Sequence, residues 1–179
     1  SMAWANHRIS MLNPDACIIA TPSDQAIFNE DAFRENVLEG LAFVAEHDRF
    51  LTMGVKPTRP EPGYGYIQMG EAIGNGTYKV QSFTEKPERE FAKIFVESGE
   101  FYWNTGLFLS NVKYLRECFC KILPPVLRDY DKQYPEFSVE TENAYMKESF
   151  SSYPNISVDF GVLDKPSNVY MMKCDFGWA

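Results

Sequence analysis

Ala16-Cys17-Ile18-Ile19-Ala20-Thr21 is a continuous apolar run set between Pro14 and Pro22. It reads as a strand buried on both faces, the pattern of parallel sheets. Asn29 or Asp31 can cap the helix that follows, which extends through Glu46. Its apolar positions Phe33, Val37, Leu41, Val44 and Ala45 recur at three- and four-residue steps. Phe50–Val55 then resumes as a strand. Strand, helix, strand is the unit of a right-handed parallel crossover, and it sets the fold class as α/β.

Working outward, Met2 to Met11 reads as a helix. Pro57 to Gly65, with three prolines and two glycines, is a loop. Tyr64–Met69 and Tyr78–Thr84 are strand-like and flank Asn75-Gly76, a strong hairpin signal. Glu88–Glu97 is helical and ends at Gly99, a suitable C-terminal cap. Leu107–Ser110 reads as a short strand, Val112–Ile122 as a helix closed by Pro124-Pro125. Val126–Gln133 and Val139–Ser149 follow as helices, and Ile156–Val158 and Val169–Lys173 as late strands. The sum is a mostly parallel mixed sheet with an added hairpin and helices on both faces.

Composition narrows the function. The chain has 179 residues, 45% hydrophobic and 15% aromatic, with a net charge of −8. Such a chain builds a core and lacks the concentrated basic face that nucleic acid requires. No apolar run approaches the roughly 20 residues of a membrane helix, and no secretory pattern opens the chain. Four cysteines and two histidines are too few for a disulfide scaffold or a zinc cluster. Reduced thiols and a cytoplasmic location are expected.

Several short polar clusters are candidates for chemistry. Asp24 follows the first strand, where open α/β sheets gather ligands. An acid there can hold magnesium, which favours one or two carboxylates plus water and phosphates; the alternative is a solvated loop acid or a helix cap. Gly63-Tyr64-Gly65-Tyr66 lets the backbone approach a ligand, or is merely a turn. In Phe83-Thr84-Glu85-Lys86-Pro87, a carboxylate can accept from two sugar hydroxyls and a lysine can meet phosphate; the alternative is a surface ion pair. Asn104, in Trp103-Asn104-Thr105-Gly106 before a strand, offers donors and an acceptor, or initiates a turn. Ser157-Val158-Asp159 and Asp164-Lys165-Pro166 add an acid and a lysine, whose bland reading is capping and solvated charge. No Ser or Cys has the context of an activated nucleophile, and a transfer by positioning and charge neutralisation needs none.

Taken in order, these segments resemble the mannose-1-phosphate guanylyltransferase family of the bacterial long-chain type. The stretches that carry the resemblance are Ala3-Trp4-Ala5-Asn6, Thr21-Pro22-Ser23-Asp24, Gly54–Glu61 running into Gly63–Ile67, Phe83–Pro87, Trp103–Phe108, Ser157-Val158-Asp159 and Phe176-Gly177-Trp178. The resemblance implies a Rossmann-like nucleotide-diphospho-sugar transferase fold, with residues 1–179 forming part of a single nucleotidyltransferase domain. It implies that GTP and mannose 1-phosphate give GDP-mannose and pyrophosphate, assisted by Mg²⁺. It implies that Asp24 binds the metal and that Asp24 and Lys86 are catalytic. Gly65 and Tyr66 would form the backbone wall of the sugar site, joined by Gly106. Glu85 and Asn104 would read sugar hydroxyls, Lys86 and Lys165 would contact phosphate, and Asp159 would lie near the sugar. A homodimer is compatible with it; nucleic acid and membrane partners are not.

The sequence also departs from the family. The glycine-rich loop that cradles the triphosphate does not appear, Gln25 stands where the family usually carries His, and Ala179 ends one position before an Asp that resembles a second metal ligand. Both ends read as cut, so this polypeptide alone is expected to be inactive. The alternatives are a relative that uses another sugar or base and a non-catalytic sugar-phosphate-binding module.

Overall fold

Alternation along Phe50–Val55 decides how the layers stack. In the computed structural model, which describes residues 1–133, 138–158, 161 and 168–179, all six residues of this strand are buried. Phe50 faces one apolar cluster with Phe108, Leu115, Phe119, Val169 and Met171. Leu51 and Met53 face the other with Val44, Leu109 and Met172. A strand that is apolar on both sides must be covered on both sides, and the helices do so.

The elements are α1 (Met2–Leu12), β1 (Cys17–Ala20), α2 (Glu30–Glu46), β2 (Phe50–Val55), β3 (Tyr66–Gly74), β4 (Thr77–Thr84), α3 (Arg89–Ser98), β5 (Phe101–Asn111), α4 (Val112–Ile122), α5 (Pro124–Gln133), α6 (Val139–Ser149) and β6 (Val169–Cys174). Residues of α1, α4, α5 and α6 pack on the Phe50 side, and residues of α2 and α3 on the Leu51 side. Local signals act as expected. Asn29 Oδ1 caps α2 by accepting from Ala32 N at 3.1 Å. Gly99 closes α3 in the left-handed region, φ +72°. Asn75 and Gly76 turn the β3–β4 hairpin with φ of +51° and +69°, the backbone a two-residue hairpin demands.

The α/β class and the mixed sheet are as expected, but the strand directions are not. The order is β1-β5-β2-β6-β4-β3, with β3 pairing back onto β5. Among these pairings β2–β6 is parallel, while β1–β5, β2–β5, β3–β4, β3–β5 and β4–β6 are antiparallel. β1 and β2 do run the same way, but β5 lies between them, so the crossover skips a strand. β1 is half-buried rather than buried on both faces, because it closes the edge of the sheet.

Two strand expectations fail. β5 begins at Phe101, well before Leu107, because Phe101, Tyr102 and Trp103 are strong strand formers. Ile156–Val158 is not a strand; Ile156 and Ser157 have no regular structure and Val158 is helical. Helix boundaries also move, most notably in α5, which is expected from Val126 yet takes in Pro124, since proline suits a first helical turn.

Candidate functional site

The centre of the site is an irregularity in β5. Thr52 pairs with Phe108 and Gly54 pairs with Asn104. Between these pairs β2 advances two residues and β5 advances four, so Thr105 and Gly106 bulge out of the ladder. Gly106 takes φ +74°, which glycine adopts without strain. Thr105 is buried and pins the bulge: its hydroxyl donates to Met53 O at 2.7 Å and accepts from Leu107 N at 3.2 Å. Gln25 Nε2 donates to Thr105 O, which ties the loop after β1 to the bulge.

That loop is also laced to the segment after β6. Ala26 N donates to Ala179 O at 2.8 Å and Ala179 N to Ala26 O at 3.1 Å, while Phe28 N meets Gly177 O at 3.0 Å. The lacing brings Asp24 and Trp178 to one wall. From the other direction, the chain entering β3 crosses the end of β4. Asn104 N donates to Gly65 O at 2.8 Å, and Lys86 N to Tyr64 O at 3.2 Å.

These segments enclose a cavity of about 360 Å³. Asp24, Gly65, Glu85, Asn104 and Gly106 all line it, with Pro22, Gln25, Gly63, Tyr64, Thr105, Trp178 and Ala179. Residues distant in the chain thus share one wall. Asp24 is exposed, Glu85 and Asn104 are half-buried, and Gly65 is buried. A methyl group on Gly65 would stand 2.6 Å from Glu85 Oε2 and 3.1 Å from Phe83 Cε2, so the absence of a side chain makes room for the carboxylate.

Behind the cavity, Tyr64 meets Trp103 edge-on at 5.1 Å and Trp178 at 5.0 Å. Arg59 lies over Trp103 at 5.3 Å. Trp103 Nε1 and Trp178 Nε1 are buried without a hydrogen-bond partner among the described residues.

Other expected residues stand apart. Tyr66 is fully buried in the α2-side cluster, and its hydroxyl accepts from Glu61 N at 2.9 Å; its side chain does not reach the cavity. Lys86 adjoins the cavity without lining it. Its Nζ lies 3.9 Å from Glu85 Oε1, and its side chain is 67% exposed. Lys86 carries φ +46° although Pro87 follows, a conformation non-glycine residues rarely hold and one that clusters at functional positions. Asp159 and Lys165 lie outside the described residues. Sequence reasoning missed Trp178 and Gln25 as lining residues; Trp178 sat in the Phe-Gly-Trp motif, and Gln25 beside Asp24.

Asn104 needs a correction. Its Oδ1 accepts from Thr52 Oγ1 at 3.1 Å and from Gly106 N at 3.1 Å. The acceptor that the sequence reading gave Asn104 is therefore already engaged within the protein.

Larger cavities exist, including one of about 600 Å³ between α1, α4 and residues 150–158. Its wall is mostly apolar, and among the described residues that line it none carries a charged side chain. The smaller cleft is the candidate site, because polar groups gathered on one volume, not volume itself, mark a reactive site.

The family model for nucleotidyl transferases matches residues 11–139. The chain belongs to the nucleotidyl transferase family. It is 34% identical over 166 residues to a mannose-1-phosphate guanylyltransferase of Sinorhizobium fredii, a match covering 92% of this chain and 32% of the relative. It is 34% identical over 173 residues to the mannose-1-phosphate guanylyltransferase of Escherichia coli, covering 92% and 35%. The chain thus spans about a third of the length of the curated relatives it matches. A crystal structure described as mannose-1-phosphate geranyltransferase from Thermus thermophilus superposes with a TM-score of 0.82 at 27% identity, covering 99% of this chain and 50% of that one. The nucleotidyl transferase assignment agrees with the Rossmann-like fold expected from the motifs. No helix among the described residues is long and apolar enough to cross a membrane.

Proposed function

We propose that the full-length protein carrying this sequence transfers a guanylyl group from GTP to mannose 1-phosphate, releasing pyrophosphate and GDP-mannose, in the cytoplasm. The observation that carries this reading is the meeting of Asp24, Gly65, Glu85, Asn104 and Gly106, drawn from separate segments, on one cavity. Similarity to relatives named for that activity supports it.

The residues divide the work by charge and hydrogen-bond sense. Glu85 offers acceptors to the hydroxyl protons of a hexose, and Asn104 offers donors to its oxygens. The bare backbone of Gly65 and Gly106 lets a sugar ring lie close. Lys86, beside Glu85, is placed to meet a phosphate that extends out of the cavity. Held in this way, a sugar phosphate oxygen can be aligned with the α-phosphorus of a nucleotide, and positioning together with charge stabilisation is nearly all that such a transfer needs.

The donor set fits magnesium only in its usual open form. No group of three or more His, Cys, Asp or Glu among the described residues could cage a metal, but Asp24 supplies one carboxylate at the cavity, and magnesium completes its shell with water and phosphate. When bound, the ion neutralises phosphate charge and orients the leaving pyrophosphate. The test is pyrophosphate release by the full-length protein across a panel of nucleoside triphosphates and hexose 1-phosphates. GTP with mannose 1-phosphate is expected to react fastest. Preference for another sugar or base would move the assignment to a sister activity, and no release with any pair would defeat it.

A further inference from the structure

We propose that Thr52 is a positioning residue that fixes the amide of Asn104 in one orientation, so that Asn104 can meet a sugar phosphate only through its N–H side, beside the carboxylate of Glu85. This rests on the reading above, and it names a residue outside the cavity that decides how the cavity reads its ligand.

Gly106 N–H can only donate, and it lies 3.1 Å from the Asn104 side-chain atom assigned as Oδ1. That atom must therefore be the oxygen, which settles the choice between amide oxygen and nitrogen. Thr52 is fully buried, and its hydroxyl lies 3.1 Å from the same oxygen. Two donors fill the two lone pairs of a carbonyl oxygen, and a flipped amide would set its N–H groups against the N–H of Gly106. The strand context makes the geometry firm. Thr52 sits in β2, buried along its whole length, directly before the place where β5 bulges. A β-branched side chain there has little χ1 freedom. Gly106 can place its N–H on Asn104 because it turns back with φ +74°.

Thr52 does not line the cavity, so its effect must pass through Asn104. Thr52→Val keeps shape and removes the hydroxyl; Thr52→Ser keeps the hydroxyl. In the full-length protein, Thr52→Val is expected to raise KM for mannose 1-phosphate about tenfold, the worth of one neutral hydrogen bond. KM for GTP should stay within about twofold of its original value, roughly the scatter of such comparisons, and Thr52→Ser should restore the original behaviour. In an Asn104→Ala background, Thr52→Val should cost nothing further, since the group it acts through is gone. The side-chain amide signals of Asn104 in a ¹H–¹⁵N spectrum, assigned by their loss in Asn104→Ala, should shift and broaden in Thr52→Val and return in Thr52→Ser.

Unmoved amide signals in Thr52→Val would overturn the positioning role, whatever the kinetics show. Additive effects of Thr52→Val and Asn104→Ala, or equal rises in both KM values, would assign Thr52 to general packing and also overturn it. If the amide signals respond as expected but no hexose 1-phosphate shifts them further, then Asn104 is positioned yet does not read a sugar phosphate. That result rejects the ligand half of the proposal and, with no pyrophosphate release, rejects the function as well.

Discussion

Gly65→Ala separates room for a ligand group from room for the fold. The new methyl carbon would sit 2.6 Å from Glu85 Oε2, 3.1 Å from Phe83 Cε2 and 3.2 Å from Phe83 Cζ. The carboxylate is the end of a flexible, half-buried side chain, so it can swing away; the Phe83 ring must shift by only a few tenths of an ångström. The cost to folding therefore falls at the low end of overpacking, about 1 kcal/mol, or about 2–4 °C in Tm for a domain of this size. The cost to binding is larger. With Glu85 reading the sugar as proposed, moving it forfeits a charge-assisted hydrogen bond, about 1.5–3 kcal/mol. At about 1.4 kcal/mol per tenfold, this is about a 10- to 100-fold rise in KM for the sugar phosphate. Thermal unfolding and steady-state kinetics on the same preparation read both quantities. Glu85→Gln in the Gly65→Ala background should add little, because the carboxylate has already left. A Tm drop with an unchanged KM for every sugar phosphate would refute the reasoning, since it would mean that the carboxylate beside Gly65 touches no substrate.

Gly54→Ala provides the contrasting case. Its methyl would meet Met171 Sδ at 2.5 Å and Tyr102 Cβ at 3.1 Å within a packed sheet, so Tm should fall by about 3–10 °C; an unchanged Tm would show that β2 and β6 have slack not seen in their packing. Asp24→Asn should lower kcat/KM about 100-fold or more, weaken the response to added Mg²⁺ and leave Tm alone, because Asp24 is exposed; an unaltered magnesium titration would count against the metal role. Stability should also depend on alkaline pH. Burial, and secondarily Glu39, pushes the Cys174 thiol up to about 12, and burial, and secondarily Asp129, pushes the Tyr130 hydroxyl up to about 12. These acids are harder to ionise folded than unfolded, so their stabilisation is complete below their ordinary values near 9 and 10. It is lost as pH climbs toward about 12. The urea midpoint should accordingly fall from about pH 9 upward, and a flat profile would contradict the burial of both groups.

Much of the architecture was legible in the residues because it depends on neighbours in the chain. The Asn29 cap, the Gly99 stop and the Asn75-Gly76 turn each act on adjacent residues, and each stands where the sequence placed it. Phe50–Val55 was legible as a strand, but the burial on both faces expected of Ala16–Thr21 is found there instead. Asp24, Glu85 and Asn104 were recognisable as polar groups at strand ends or entries. The direction of β5 was not legible, because an apolar strand of this kind carries no mark of whether its partners run with it or against it. Trp103-Asn104-Thr105-Gly106 has the residues of a turn, and only the pairing of Thr52 with Phe108 and of Gly54 with Asn104 turns it into a bulge inside a long strand. Residue types and their order determined which groups this protein has for chemistry. Tertiary structure alone decided how those groups are engaged, since the Asn104 oxygen is taken up by Thr52 and Gly106, and Tyr66 is turned into the core beside a glycine that stays at the wall. Hydrogen bonds between segments far apart in the chain are closed only when the sheet forms, so no local reading of the chain can supply them.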